Sequence, residues 1–375
     1  MNSILDEIRK IRGENVLYID NTNRNRYRIV IHEGDASKTA YYFSVPIYGA
    51  LNRTLLDLTF HNSEGNCFLN GSSSTVDISD SILLKNKQGS CRITLPNRCL
   101  LQKERYVCYQ GVKVFPTTNG VALQVELNAQ GQYSFRLNLD RGFYQIRSNN
   151  KYVAFMSEKF KPFVTVSCIG SLYPNEELFA PAEIKYQKIT DLEYEITVFS
   201  NSSHAKQILF EINCQETKLF QDTTVESKTP SQNNVFGGTA FIGNSTAFGE
   251  QWLYARPDFS ILSDLLGQTI QKANLYLPIL HKNTLQLMTI GLTTRFCSFG
   301  SNWNNKKVSS QKANLSEIIS GYHKIDIVSL IAQNQRLLTT AEGWIIKSAV
   351  KNSGFSAIST GDSFYAPQIL EVTFK

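Results

Sequence analysis

No two cysteines in this chain stand in a CxxC spacing, and no two of its five histidines (His32, His61, His204, His281, His323) stand at metal-ligand spacing. A tetrahedral zinc centre therefore has no local signature. The GxSxG, GxGxxG and P-loop patterns are absent too, so no nucleophile elbow or phosphate cradle announces itself. No apolar run approaches the roughly 20 residues that span a bilayer, and the first residues lack the apolar core of a secretory signal. The sequence thus leads us to expect a soluble chain with no membrane span and no signal peptide. Charged residues are 19% of the 375, and the formal charge of +6 is spread along the chain. Its densest basic run, Arg24 to Arg28, is too short for a nucleic-acid arm, so no nucleic-acid partner is expected. The composition is not the Ala-rich one of a helical protein.

What the chain does have is aromatic and β-branched residues. Its 17 Tyr and 22 Phe, with abundant Thr, Val and Ile, suit a pleated surface. Apolar residues alternate with period two at Val121, Leu123, Val125 and Leu127, and at Tyr133, Phe135, Leu137 and Leu139. The pattern recurs at Tyr194, Ile196 and Val198, and at Ile208, Phe210, Ile212 and Cys214. Further strands are expected at 16–19, 27–31, 41–45 and 55–60, separated by polar turns. Ser148-Asn-Asn-Lys151 reads as a tight hairpin with Asn at left-handed positions. A single short helix is expected at residues 3 to 12: Ser3 caps it, Ile4, Leu5, Ile8 and Ile11 share a face, and Gly13 stops it. Its apolar face is expected to dock on the protein itself.

The fold class these signals give is all-β: tandem β-sandwiches with a C-terminal jelly roll and a short N-terminal helix. All three tryptophans lie beyond residue 224 and six of the seven cysteines before 215, which sets a boundary near 215 to 224. Phe115-Pro-Thr-Thr-Asn-Gly120 has turn composition and sets a softer one. The resulting division is 1–115, a β-rich N-terminal domain; 116–215, a β-sandwich region able to form one unit with 1–115; and 216–375, the jelly roll. A fragment beginning near Lys218 is then expected to fold cooperatively. Of the cysteines (Cys67, Cys91, Cys99, Cys108, Cys168, Cys214, Cys297), most lie in strand-like runs and read as free buried thiols. A disulfide among Cys91, Cys99 and Cys108 stays open.

From Asp222 onward ordered landmarks carry a resemblance. They are Asp222-Thr-Thr-Val225, then Asn233-Asn-Val-Phe-Gly-Gly-Thr-Ala-Phe-Ile-Gly243, then Trp252-Leu-Tyr-Ala-Arg-Pro-Asp-Phe-Ser260 with Pro257 where an aromatic is usual. Ile270-Gln-Lys-Ala-Asn-Leu-Tyr-Leu277, Trp303, Asp326-Ile-Val-Ser-Leu-Ile331 and the closing strands at 342–347, 354–359 and 366–372 follow. In this order they resemble the DNRLRE domain, which is grouped with carbohydrate-binding modules, although the acidic residue and Thr-Trp that commonly follow Trp303 are missing. The resemblance implies a jelly roll, a polysaccharide or glycan partner, and a bacterial surface or extracellular setting.

Two loops have the composition of a sugar site, an aromatic face ringed by amides and carboxylates. Ser301-Asn-Trp-Asn-Asn-Lys306 offers Trp303 with Asn302 and Asn304, and Gly361-Asp-Ser-Phe-Tyr365 offers Asp362 and Tyr365. Against this stands the expectation that Trp303 packs inward to close one end of the sandwich. Asp222, Glu226, Glu250 and Asp258 are acids from which a glycoside-hydrolysing pair could be drawn; the plainer reading is that they are solvated, or that one binds a structural Ca²⁺. No catalytic residue and no cofactor are expected. Five Asn-x-Ser/Thr acceptors, at Asn52, Asn70, Asn201, Asn244 and Asn314, read as chance matches. Three functions remain: a non-catalytic carbohydrate-binding or adhesive protein, a structural subunit of a surface, spore or virion assembly, and a polysaccharide hydrolase or lyase.

Overall fold

In a computed structural model the chain is described at residues 8–11, 16–23, 26–33, 36–43, 61–63, 66–70, 74–79, 81–86, 89–95, 100–102, 106–109, 111–117, 119–143, 145–158, 161–175, 178–214, 220–257, 269–280, 287–293, 299–306, 314–330, 343–351 and 354–374. The protein is all-β. Its strands form two bodies: a middle sandwich built from 61–214, and a second body in which the C-terminal strands are joined by the N-terminal ones.

The middle sandwich stacks two antiparallel sheets. One runs in the order Glu183–Lys188, Glu193–Phe199, Gln132–Leu139, Gly89–Thr94, Ile82–Asn86, Ser74–Ile78, Asn66–Asn70, His61–Ser63. The other runs Gln145–Ser148, Tyr152–Glu158, Lys161–Leu172, Gln207–Asn213, Gly120–Glu126, Val112–Pro116, Val107–Tyr109, Leu100–Gln102. Alternation does what it predicts: Tyr194, Ile196 and Val198 are buried while their strand neighbours are half-exposed. They meet Val121, Leu123, Val125, Ile208, Phe210 and Ile212 from the facing sheet in one apolar core. Phe135 stacks on Phe210 with ring centroids 5.4 Å apart. Gly120 lets two strands approach closely, since a Cβ there would sit 2.1 Å from the Ile212 carbonyl oxygen. The strand Lys161–Leu172 is buried along nearly its whole length rather than on alternate residues. A second layer covers its outer face.

That layer is the second body. Its sheet runs Val16–Asn23, Arg26–Glu33, Ala36–Phe43, Ile369–Phe374, Ile270–Pro278, Tyr322–Asp326, Asn314–Ile319, Met288–Thr293, Gly343–Ser348, Gly249–Pro257, Thr239–Ser245, Gly354–Ser359, with Phe220–Glu226 also pairing Gly249–Pro257. Asn314–Ile319 turns the corner: its first residues pair Thr289 and Ile290, and the rest pair Tyr322 to Ile325. The sheet thereby folds over on itself, and Leu275, Ile325, Leu370 and Val372 pack against Ile242, Leu253, Ile290, Trp344 and Ile346.

Three expectations change here. The softer boundary at residues 111–120 is a hairpin, with Lys113 to Pro116 paired to Val121 to Gln124, because a turn inside one sandwich has the composition of a linker. The segment 1–115 is not a single domain: Ala40 to Phe43 pair with Leu370 to Thr373, while the strands from His61 onward belong to the middle sandwich. Asn149 and Asn150 are not left-handed, since Ser320 alone among described non-glycine residues has positive φ. Instead the Asn149 side chain shapes the turn, accepting hydrogen bonds from the Lys151 and Tyr152 amides at 2.8 and 3.2 Å. Residues 8–11 are helical with Ile8 fully buried. The Lys10 ammonium lies by the Ser320–Gly321 turn of the second body, 3.9 Å from where a Gly321 Cβ would stand. The expected strand at 55–60, the end of that at 41–45, the helix residues 3–7 and 12, and the Gly13 stop lie outside the described residues.

Candidate functional site

The two bodies meet across polar groups flanked by apolar clusters. Glu211, fully buried on the strand Gln207–Asn213, accepts hydrogen bonds from the Ser363 hydroxyl (2.6 Å), the Phe364 amide (2.9 Å) and the Asn213 side-chain amide (2.7 Å). Burial raises its carboxyl above the ordinary value in spite of these donors. Nearby, the Lys151 ammonium of the middle sandwich pairs with Glu226 of the second body. Burial pushes the Glu226 carboxyl up, but the Lys151 charge and the donors from Lys151, Thr229 and Gln251 hold it below the usual range. The Asn149 side-chain amide reaches the Asn233 carbonyl at 2.9 Å and Asn234 Oδ1 at 2.7 Å. On one side Phe241, Phe248 and Ala357 pack on Ala122, Ile169, Leu172 and Leu209; on the other Val235 and Phe236 pack on Tyr152, Ala154 and Met156.

A different kind of site lies on the outer face of the second body. Glu250, Trp252 and Tyr254 point the same way along one strand, opposite to the core residues Leu253 and Ala255. The loop 299–306 lies over this face. Trp303 packs on Trp252 with ring centroids 5.2 Å apart and planes inclined by 55°. Lys306 Nζ stands 3.8 Å from the Trp303 ring centre, and Lys347 Nζ stands 5.4 Å from that of Trp252. The Trp252 indole N–H donates to Glu250 at 2.7 Å. The loop is tied down: Asn302 and Asn305 exchange backbone-to-side-chain hydrogen bonds at 2.8 and 3.2 Å, Asn233 donates to the Ser301 carbonyl at 2.8 Å, and the Asn304 amide donates to the Pro230 carbonyl at 3.1 Å. Trp303 is half-buried, neither fully displayed nor sealed inside, and Asn304 is exposed beside it.

The predicted site residues therefore separate. Trp303, Asn302 and Asn304 share the outer loop. Asp362 is 2% exposed, and half-buried Tyr365 meets Phe115 edge-on at 5.7 Å in the joint between the bodies. That second loop is interior because its amides and Ser363 satisfy Glu211, and Gly361 passes so close to Phe220 and Asp222 that a Cβ would clash at 2.6 and 2.7 Å. Asp222 and Glu226 are buried as well, not solvated as expected; Asp258 lies outside the described residues. Among the described residues no group of three or more His, Cys, Asp and Glu is placed to hold a metal ion. Cys91, Cys108, Cys168 and Cys214 are free, and burial drives the Cys214 thiol up to about 12 and that of Cys91 well above its usual value, which makes them poor nucleophiles. Sequence reasoning missed Trp252, Lys306 and Lys347. The signal was the period-two run Glu250, Trp252, Tyr254, whose partner face only the sheet order reveals. No helix among the described residues is long and apolar enough to cross a membrane. No protein-family model matches the chain, and no curated protein matches it.

Proposed function

We propose that the protein is a non-catalytic glycan-binding or adhesive β-sandwich protein whose site is the outer face carrying Trp252 and Trp303. The observation that carries this reading is the half-buried Trp303 indole, which lies over the buried Trp252 (7% exposed) and is flanked by the Lys306 ammonium and the amides of a tied loop, with Lys347 and Glu250 beside Trp252. Indole faces bury the apolar side of a sugar ring, and the polar rim orients its hydroxyls. Lys306 and Lys347 favour a sugar bearing carboxylate or sulfate groups over a neutral one. The ordered DNRLRE landmarks support the same class, with an extracellular or bacterial-surface setting. The burial of Asp222 and Glu226 inside hydrogen-bonded networks supports the non-catalytic reading, because a glycosidase needs its two carboxylates to face the substrate. The test is an array of neutral and acidic glycans probed with the protein and with Trp303→Ala and Lys306→Ala. Binding to acidic glycans that both variants lose, with each still folded, is the expected result. An array with no binding, or binding both variants retain, removes the site.

A second reading, a structural subunit of a larger assembly, draws on one observation. Leu287, Leu315, Ile318, Ile319 and Val350 are exposed, Leu315 to 55%, on adjoining strands and turns at the corner of the second body. Such surface residues are candidates for contact with another copy. Sedimentation that becomes concentration-dependent, and stops being so in Leu315→Lys, would favour it.

A further inference from the structure

Lys151, Glu226 and Gln251 converge in the joint, and they are 8%, 3% and 0% exposed. The Lys151 ammonium and the Gln251 side-chain amide both donate to one atom, Glu226 Oε2, the second at 2.7 Å. The ammonium nitrogen and the carboxamide nitrogen thus both touch one carboxylate oxygen. The carbonyl oxygen of the same carboxamide, Gln251 Oε1, accepts the Phe241 backbone N–H at 2.6 Å. Lys151 itself is fixed at both ends of its peptide unit: its amide donates to Asn149 Oδ1 at 2.8 Å, and its carbonyl accepts the Cys168 amide at 2.9 Å. These are the parts an amide exchange needs: an amine, an acceptor carbonyl with a donor aimed at its oxygen, and a base that touches both nitrogens.

We infer that Lys151 and Gln251 join in an intramolecular isopeptide bond that staples the middle sandwich to the second body. Glu226 Oε2 takes a proton from the Lys151 ammonium, and the freed amine attacks Gln251 Cδ. Negative charge builds on Oε1 and is met by the Phe241 N–H. The Cδ–Nε2 bond then breaks as the Nζ–Cδ bond is completed. A second proton leaves Nζ through Glu226 to the departing nitrogen, so that nitrogen leaves as ammonium carrying both protons and Glu226 ends ionised. No oxidant or cofactor enters the balance. Holding the two groups in place supplies the proximity that makes an otherwise slow exchange accessible. The product also replaces a buried ion pair by an amide, so that no ammonium has to be held out of water.

The test is the intact mass of the full chain under denaturing conditions, followed by peptide mapping. The expected result is a mass one ammonia lower than the sequence requires, with a cross-linked peptide pair joining Lys151 to Gln251. Lys151→Arg and Glu226→Gln are each expected to restore the full mass, the second because it keeps the hydrogen-bonding shape but removes the base. A wild-type mass equal to the sequence value overturns the inference without reference to any variant. So does an ammonia deficit that maps to another residue, or a deficit of one water joining Lys151 to Glu226.

Discussion

In the middle sandwich most strands pair with a close chain neighbour, as Val112–Pro116 does with Gly120–Glu126 and Tyr152–Glu158 does with Lys161–Leu172. In the second body Ala40 pairs with Thr373, and Thr239 pairs with Ser359. The first core is filled by apolar residues from two facing sheets. The second is bordered by buried polar groups such as Glu371, which accepts from Asn274 at 2.9 Å and from the Tyr276 hydroxyl at 2.7 Å. The middle sandwich therefore draws its strands from one stretch of chain, although Lys161–Leu172 and Glu211 rely on the second body for cover and for hydrogen bonds. The second body depends on strands borrowed from the N-terminus and on a polar joint.

The largest effect should come from removing what is borrowed. A fragment beginning near Lys218 leaves Ile369–Phe374 as an open edge and strips the cover from Phe241, Phe248 and Phe236. Exposed edges and apolar patches favour aggregation, so we expect this fragment to be molten or aggregated by near-ultraviolet circular dichroism, against the independent folding that sequence alone implies. A cooperatively folded fragment would show that the N-terminal strands and the joint are dispensable. Next come core truncations. Phe210→Ala in the middle sandwich and Trp344→Ala in the second body should each cost about 3–5 kcal/mol. Hydrogen exchange should show each loss concentrated in its own body; equal loss in both would mean that the bodies unfold as one unit.

The acid and alkaline limits should also separate them. Buried His323, with Nδ1 3.3 Å from Ser316 Oγ, is lowered by burial from 6.5 to about 4. Between those values the unfolded chain binds the proton and the folded chain does not. Stability is kept above about pH 6.5 and falls as pH drops towards 4, by up to about 3 kcal/mol. Glu211 is raised, so its contribution has the opposite sign: present below the unfolded value and lost as pH rises through the folded one. In urea titrations His323→Gln should flatten the acid side and Glu211→Gln the other. Unchanged slopes would mean that neither group titrates where its burial implies. The smallest effect is expected at Arg136, whose guanidinium lies 3.6 Å from Glu193 and 3.3 Å from Glu195 on the outer face of the sandwich. Arg136→Ala should change stability by less than about 1 kcal/mol.

How much of this was legible in the sequence follows the same division. Tyr194, Ile196 and Val198 announce a strand because one face is buried and the other wet. Lys161–Leu172 shows no alternation because both faces are covered, and composition cannot say by what. The pairing of Ala36–Phe43 with Ile369–Phe374 leaves no local trace, since any exposed strand edge offers the same amides and carbonyls. At the site, Trp303 and its amides stood out by composition. Asp362 and Tyr365 had the same composition in an interior loop, because buried hydrogen-bonded networks and sugar sites use the same residue types. Lys306 and Lys347 became visible only once the sheet order set their ammonium groups against the indoles.

The most direct measurement of the glycan-binding proposal is a tryptophan-fluorescence titration of the whole protein with an acidic oligosaccharide. A sugar ring on the exposed part of Trp303 changes the surroundings of that indole and, through it, of the buried Trp252 beneath, and leaves Trp344, fully buried in the core, untouched. We expect a saturable shift that weakens with added salt, as charge pairing with Lys306 and Lys347 requires, and that disappears in Trp303→Ala. A shift of equal size in Trp303→Ala, or no shift with any acidic or neutral sugar, would contradict the proposal.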